Sequence, residues 1–552
     1  MMMRSARSWP DADRRRSARG TRAKAAPVLA GITIAGLALT ACGSAGSSAA
    51  GAAGAGQAST VSSGGTLVID STFDLKTADP ARSYEFTGEL LAHNVYEHAT
   101  TFDGTDLTKP VPQLTTFAWS NGNKTLTLTL NGTHKFADGT PVTADDIAFS
   151  YERLQGIQGS PSFLLDGVAV KEVNKSTVTL TTQTPNLALP AILANPSLGI
   201  LEKKLVLEHG GSTTPKDGAE KFLNTQSAGS AAYQISSLSI TSQIVLTRNP
   251  NYVGTKPKYD KIVIQNVQPA TQKLNVQTGQ AQIALDISPD EAKTLNGGST
   301  KVISGISGFT VYSFFSADQA HGKAASDPNF VAAVRHAINY QTLLSIAGPG
   351  SVQVGGVVPV QFAGSLKSDP ADAYNPALAK QLLAKSAYKG EPITYLYASD
   401  VTVQGLQLQL VAQSIQADLA KVGINLKLEP QPSATYYSTL RSNTTQAALA
   451  YWGPDFPDAS NYLAFTPGQG VAVRANWTSS SATAKLVAPY VTAAENASSA
   501  TRNQAYEALQ TELNKVGPII PLLQPSQSVV TTTSVSNVVP SPLWLLDLDS
   551  IK

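Results

Sequence analysis

One stretch restricts the fold more than any other: TLTLTLNGTHKFADGTPVTADDIAFSYERL, from Thr125 to Leu154. Leu126, Leu128 and Leu130 alternate with threonine, the period of a strand with one apolar face. Asn131-Gly132 then reads as a hairpin turn and Asp138-Gly139 as a second turn, since both pairs tolerate the left-handed backbone that tight turns need. Thr143-Ala-Asp-Asp146 follows with the pattern of a capped helix, a hydroxyl before the first turn and two acids at its positive end. Ile147, Tyr151 and Leu154 recur at helical spacing and mark the buried stripe. Strand, turns and helix in so short a run call for sheets covered by helices and exclude a helical bundle.

The same mixture continues along the chain. Thr66 to Ile69, Thr177 to Leu180, Lys261 to Ile264 and Ile424 to Leu428 read as strands, and Arg248 to Tyr252 as the frame of a strand end. Asp327-Pro328 opens a helix on which Phe330, Val331, Val334 and Ile338 share a face, and a second helix fits Leu408 to Lys421, stopped by Gly423. Hairpins in the front and alternation behind give an α/β protein with mixed sheets, and 552 residues suffice for two or three domains.

The N-terminus does not belong to that body. Eight basic residues precede an apolar run from Val28 to Leu39, which spans only about 18 Å as a helix, against a hydrocarbon core of about 30 Å. This is the layout of a secretory signal, residues 1–41. Leu39-Thr40-Ala41-Cys42 resembles the lipobox of bacterial lipoproteins, which implies a diacylglyceryl group on Cys42, cleavage before it, and a membrane anchor. Residues 42–64, almost all Ala, Gly and Ser after the cysteine, then form a tether, a coil about 25 Å across. Cys42 is the only cysteine, so the rest of the chain has no disulfide, thiol nucleophile or cysteine metal ligand.

Charge narrows the partners. Removing the eight basic and two acidic residues of 1–26 from totals of 41 and 39 leaves 33 basic against 37 acidic, without a basic block, so nucleic acid is excluded as a partner. No His-Glu-x-x-His, Gly-x-Ser-x-Gly or phosphate-loop pattern occurs, and the chain reads as a protein without catalysis or cofactor. His93 and Glu97 are four apart with His98 adjacent, but the other histidines are scattered and no metal site is assigned.

Six stretches in order carry a resemblance: Thr77-Ala-Asp-Pro80, the segment Pro110 to Leu154, RNPNYVGTKPKYDKIVI from Arg248, VRHAINYQTLL from Val334, AKQLLAKSAYKG from Ala379, and YWGPDFPDASNY from Tyr451. The chain resembles the extracellular solute-binding proteins, family 5, of bacterial peptide and nickel ABC transporters, the dipeptide and oligopeptide type. That resemblance implies a two-lobed periplasmic-binding-protein type II-like fold of the large cluster C class, with an extra subdomain in the first lobe. The expected division is 65–310 plus 520–552 for lobe 1, with the subdomain at about 106–224, and 311–519 for lobe 2. The crossings are expected near Phe309 to Phe315 and Ile519 to Gln524.

Solute would be held between the lobes. Tyr451 to Tyr462 combines aromatic surface with acids on a backbone interrupted by Gly453, Pro454 and Pro457, the composition of a binding loop. In peptide-binding relatives the acid three residues after this tryptophan grips the ligand's α-ammonium, which points to Asp455, with Trp452 and Tyr451 beside it. Core packing for Trp452 and turn capping for Asp455 are the plain alternatives. Residues after Asp79-Pro80 line the cleft in relatives, giving Tyr84 and Phe86. Arg441 is a candidate for a ligand carboxylate or a solvated surface residue, and Tyr436 and Tyr437 are weaker candidates. The implied partners are a peptide or other small solute and the permease and ATPase subunits of an importer. The chain is expected to act as a monomer outside the cytoplasm. A nickel or metal-chelate binder, or a sensory or adhesive lipoprotein, are the alternatives.

Overall fold

The computed structural model describes residues 64–552. The expected signal, Cys42 and the tether up to residue 63 lie outside the described residues. Two mixed sheets organise the body. The seven-stranded sheet runs in the order Thr300–Ile306, Ser526–Thr532, Ile283–Ala284, Thr66–Ser71, Lys261–Asn266, Gln243–Arg248, Tyr233–Ser239. Thr66–Ser71 is parallel to both its neighbours and the outer pairs are antiparallel, so neighbouring strands are joined by both hairpins and crossovers. The six-stranded sheet runs Val352–Gln353, Ile519–Gln524, Thr310–Phe315, Ala447–Trp452, Ile393–Ala398, Leu426–Gln431. Every residue of Thr310–Phe315 and Ile519–Gln524 is buried, as expected of strands covered on both faces.

The chain leaves the first sheet for the second through Ser307–Phe309 and returns through Pro525. The stretches Phe309 to Phe315 and Ile519 to Gln524 are thus mostly paired strands of the second sheet, with the passages at their ends. The two passages are tied together. The Ser307 N–H donates to the Pro525 carbonyl at 3.2 Å, and Gln361 Nε2 donates to the Ser307 carbonyl at 2.9 Å.

A third, antiparallel sheet of four strands, Thr115–Ser120, Thr125–Leu130, Thr177–Thr181 and Ala169–Asn174, lies within the first half of the chain. Leu126 and Leu128 are sealed against Ile147, Tyr151 and Leu154 of the helix Ala144–Gly156, as the alternation predicts. Thr143 and Asp146 form a capping box, the Thr143 N–H donating to the Asp146 carboxylate at 2.9 Å. The hairpin turn of Thr125–Leu130 precedes the strand instead of following it. Asn121, Gly122 and Asn123 all take positive φ between Thr115–Ser120 and Thr125–Leu130, and Asn131-Gly132 only leads the chain out of the sheet. Asn-Gly pairs stand on both sides of this strand, and local turn chemistry does not say which one closes a hairpin.

Asp79 of the first quoted motif is scaffold. Its carboxylate is fully buried and accepts two bonds from the equally buried Arg153 guanidinium, at 2.8 and 2.6 Å. Arg153 Nε also donates to Asp217 at 2.9 Å. A fork-to-fork pair of this kind fixes the loop after Thr66–Ser71 against the helix Ala144–Gly156. The helices Pro328–Ala337 and Leu408–Lys421 form as expected, and the strand after Gly423 is Leu426–Gln431. Among the described residues no helix is long and apolar enough to cross a membrane.

Candidate functional site

Residues distant in sequence meet around a cavity of about 260 Å³. One wall is the loop before the helix Phe86–Val95 and that helix's first turn; the other is the loop Gly453–Pro457 that follows the strand Ala447–Trp452. Asp455 bridges them. Its carboxylate accepts from the Tyr84 hydroxyl at 2.6 Å and from Asn461 Nδ2 at 2.9 Å, while its own N–H donates to Asn461 Oδ1 at 2.9 Å. Asn195, from beside the four-stranded sheet, donates its amide to the Asp455 carbonyl at 2.6 Å. Burial pushes the Asp455 carboxyl above its ordinary range, and the hydrogen bonds from Tyr84 and Asn461 oppose that rise. Burial, then the charge of Asp455, holds the Tyr84 hydroxyl well above the ordinary phenol range, so Tyr84 keeps the proton it donates.

Phe86 is 39% exposed on the cavity wall and meets Phe309 edge-on, ring centres 5.4 Å apart. Phe309 sits on the passage between the sheets, so this aromatic contact lies where the two halves join. A side chain at Gly453 would come within 2.6 Å of the Phe309 ring, which explains glycine at the start of the loop. Asp458 turns the loop back by accepting two bonds from Arg502, at 2.9 and 2.8 Å.

Of the residues singled out in the sequence, Tyr84, Phe86 and Asp455 face one cavity. Tyr451 stands behind Phe309, ring centres 5.9 Å apart, and its hydroxyl accepts from Tyr437 at 2.7 Å. Trp452 packs edge-on against Tyr462 and Phe465 at 5.1 and 5.3 Å, bracing the loop from the core side. Arg441 is exposed beyond them, 6.0 Å over the Tyr437 ring. Tyr436 is buried with its hydroxyl on the Leu449 carbonyl. Glu89, Asp74, Glu85, Asn195 and Phe309 also line the cavity and were not singled out. Glu89 lies three residues after Phe86 on one helix face, a spacing that the sequence did show.

Glu89 is the most perturbed carboxyl there. Loss of water, then the charges of Asp74, Asp455 and Glu85, push it up to about 8. A larger hollow of about 850 Å³ lies elsewhere, between Ser316, Arg335 and Lys515, and shares no residue with this cavity. Among the described residues no group of three or more His, Asp, Glu or Cys side chains is placed to hold a metal.

Residues 109–472 match the bacterial extracellular solute-binding proteins, family 5. The chain belongs to this family. It is 26% identical over 406 residues to the probable D,D-dipeptide-binding periplasmic protein DdpA of Escherichia coli K12, covering 72% of this chain and 76% of that one. It is 24% identical over 433 residues to the di/tripeptide-binding protein 4 of Pseudomonas aeruginosa, covering 74% and 79%. Its fold matches the ABC transporter substrate-binding protein CtaP of Listeria monocytogenes with a TM-score of 0.77 at 18% identity, over 89% of this chain and 99% of that one. The fold is therefore the two-lobed α/β architecture of family 5 binding proteins, as the resemblance implied.

Proposed function

We propose that this family 5 protein captures a short peptide between its two halves and delivers it to the permease of an ABC importer. The observation that carries the reading is the cavity bridged by Tyr84 and Asp455, where aromatic rings and carboxylates from both sides converge on a space the size of a small solute. Similarity to proteins named for D,D-dipeptide and di/tripeptide binding supports a peptide over other solutes. The chemistry is capture alone. A ligand touching both walls binds the closed arrangement better than the open one, and that difference drives closure.

The passages at Ser307–Phe309 and Pro525 serve as the hinge. With those passages as boundaries, lobe 1 comprises 65–306 with 526–552 and lobe 2 comprises 310–524; the breaks move from the expected 310/311 and 519/520 because Thr310 and Ile519–Gln524 pair within the second sheet. Cys42 carries the lipid that keeps the protein at the outer face of the membrane, and replacing it, Cys42→Ser, releases the protein into the medium. Calorimetric titration of the protein with Ala-Ala and tri-alanine tests the solute class directly. Saturable one-to-one binding supports it. Silence toward both, with a non-peptide solute found by native mass spectrometry, refutes it.

A further inference from the structure

We propose that Asn195 is a positioning residue that latches the two lobes together through the main chain of Asp455, so that the protein rests closed before solute arrives and solute enters through a brief opening. This deepens the reading above, on whose closure of the lobes around a solute it rests.

The loop 453–457 reaches from lobe 2 to lobe 1, and its own lobe makes it rigid. Asn461 holds both the N–H and the carboxylate of Asp455, at 2.9 Å each, and Arg502 holds Asp458. A side chain at Gly308 would come within 3.0 Å of the Pro454 ring, so the loop also lies close against the passage between the sheets. Lobe 1 supplies the catch. Asn195 is 7% exposed, and its Oδ1 accepts from the Ser197 N–H at 2.9 Å, capping the turn Pro196–Leu198. The planar amide thereby turns its NH2 to the Asp455 carbonyl and donates at 2.6 Å. The Ser197 hydroxyl donates to the Ser83 carbonyl at 3.3 Å, which joins this turn to the loop carrying Tyr84, whose hydroxyl takes the Asp455 carboxylate at 2.6 Å. Main chain and side chain of one lobe 2 residue are gripped from one assembled surface of lobe 1.

Apolar packing follows the same route. Phe456 packs against the core shared by the helix Ala144–Gly156 and the four-stranded sheet, as do Tyr84 and Phe163, whose rings meet edge-on at 5.7 Å. Phe102, Leu107, Ala191 and Ala194 of lobe 1 are buried within the same apolar cluster as the lobe 2 strands Thr310–Phe315 and Ala447–Trp452. All of these are contacts between the protein's own groups. An ammonium that takes the Asp455 carboxylate competes with Tyr84 but not with Asn195, which uses the carbonyl. A latch that favours the closed form equally with and without solute leaves the affinity almost unchanged and slows both entry and exit. It sets rates.

The test is small-angle X-ray scattering on the solute-free full chain, with stopped-flow binding of Ala-Ala read by tryptophan fluorescence, for the unaltered protein and Asn195→Asp. Aspartate keeps an oxygen to cap Ser197 but replaces the donor with an acceptor facing the Asp455 carbonyl, so the turn survives and the latch does not. In the unaltered protein the observed binding rate should level off as Ala-Ala rises, at the rate of opening. In Asn195→Asp that plateau and the dissociation rate should both rise at least about tenfold, with Kd changed less than about threefold, and the solute-free radius of gyration should increase. Phe456→Ala, which leaves the hydrogen-bonding groups in place, should move the same quantities in the same direction. A binding rate that climbs linearly with Ala-Ala in the unaltered protein, or rates and radius unchanged in Asn195→Asp, overturns the inference while leaving the peptide reading standing. A weaker Kd in Asn195→Asp without faster association marks a contact to solute instead and also overturns it. No Ala-Ala binding, with a larger radius in Asn195→Asp, refutes the peptide reading and supports the latch. The plateau is read on the unaltered protein, so the test survives a variant that fails to fold.

Discussion

Asp79 and Glu89 lie ten residues apart, the first sealed in the interior and the second half-buried at the cavity wall, and the protein treats them in opposite ways. Asp79 meets a buried arginine at two oxygens, with Asp217 completing the guanidinium's partners. Glu89 lines the cavity, and the nearby charges of Asp74, Asp455 and Glu85 push its carboxyl up. A matched buried charge locks one arrangement, because removing either partner strands the other. A carboxyl at a cavity wall beside other acids and without a donor is pushed up instead and keeps its proton near neutral pH. The first site builds the lobe; the second lines its cavity.

The largest effect should come from the matched site. Arg153→Ala is expected to cost about 3 kcal/mol in urea unfolding, since it takes the two-oxygen partner from the buried Asp79 and leaves it only Arg82 at 3.3 Å and the Ala81 N–H. A loss of less than about 1 kcal/mol would show that the cluster is wet and the contrast false. Next in size, Asp455→Ala should weaken Ala-Ala binding at least about tenfold, about 1.4 kcal/mol, with little change in the urea midpoint. A variant that unfolds early but binds normally would move Asp455 into the scaffold class. Tyr84→Phe removes one hydrogen bond to that carboxylate and should shift the balance toward the open form by about 1 kcal/mol, visible as a larger radius in X-ray scattering.

Glu89 gives a pH signature of its own. Its carboxyl is raised in the folded protein, from 4.5 to about 8, so the folded state holds a proton that the unfolded chain has lost between those values. Its contribution to stability is therefore complete below about pH 4.5 and is lost as the pH rises toward 8. Glu89→Gln should flatten the fall of the urea midpoint across that window, and an unchanged slope would place the carboxylate in water. The smallest effect belongs to Lys76, whose side chain is 80% exposed: Lys76→Ala should leave both stability and binding unaltered within error.

Much of the scaffold was legible because its signals are local. The Thr125–Leu130 alternation, the Thr143 capping box and the stripe of Leu408–Lys421 each lie within a few turns or pleats, where period and cap chemistry decide the outcome. The one misplaced turn, at Asn131-Gly132, failed because its residues suit a turn equally well whether or not a partner strand follows. In the cavity, Tyr84, Phe86 and Asp455 were reached through composition and family resemblance. Asn195 stands 260 positions from its partner Asp455, and no local pattern announces such a contact. Glu89 reads as an ordinary first-turn acid until the fold brings Asp455 near it.

The most direct test of the account is a crystal structure of the protein grown with Ala-Ala. The account predicts ligand density between Phe86 and the Gly453–Pro457 loop. Density in the hollow between Ser316, Arg335 and Lys515, with the Tyr84–Asp455 cavity empty, would contradict it.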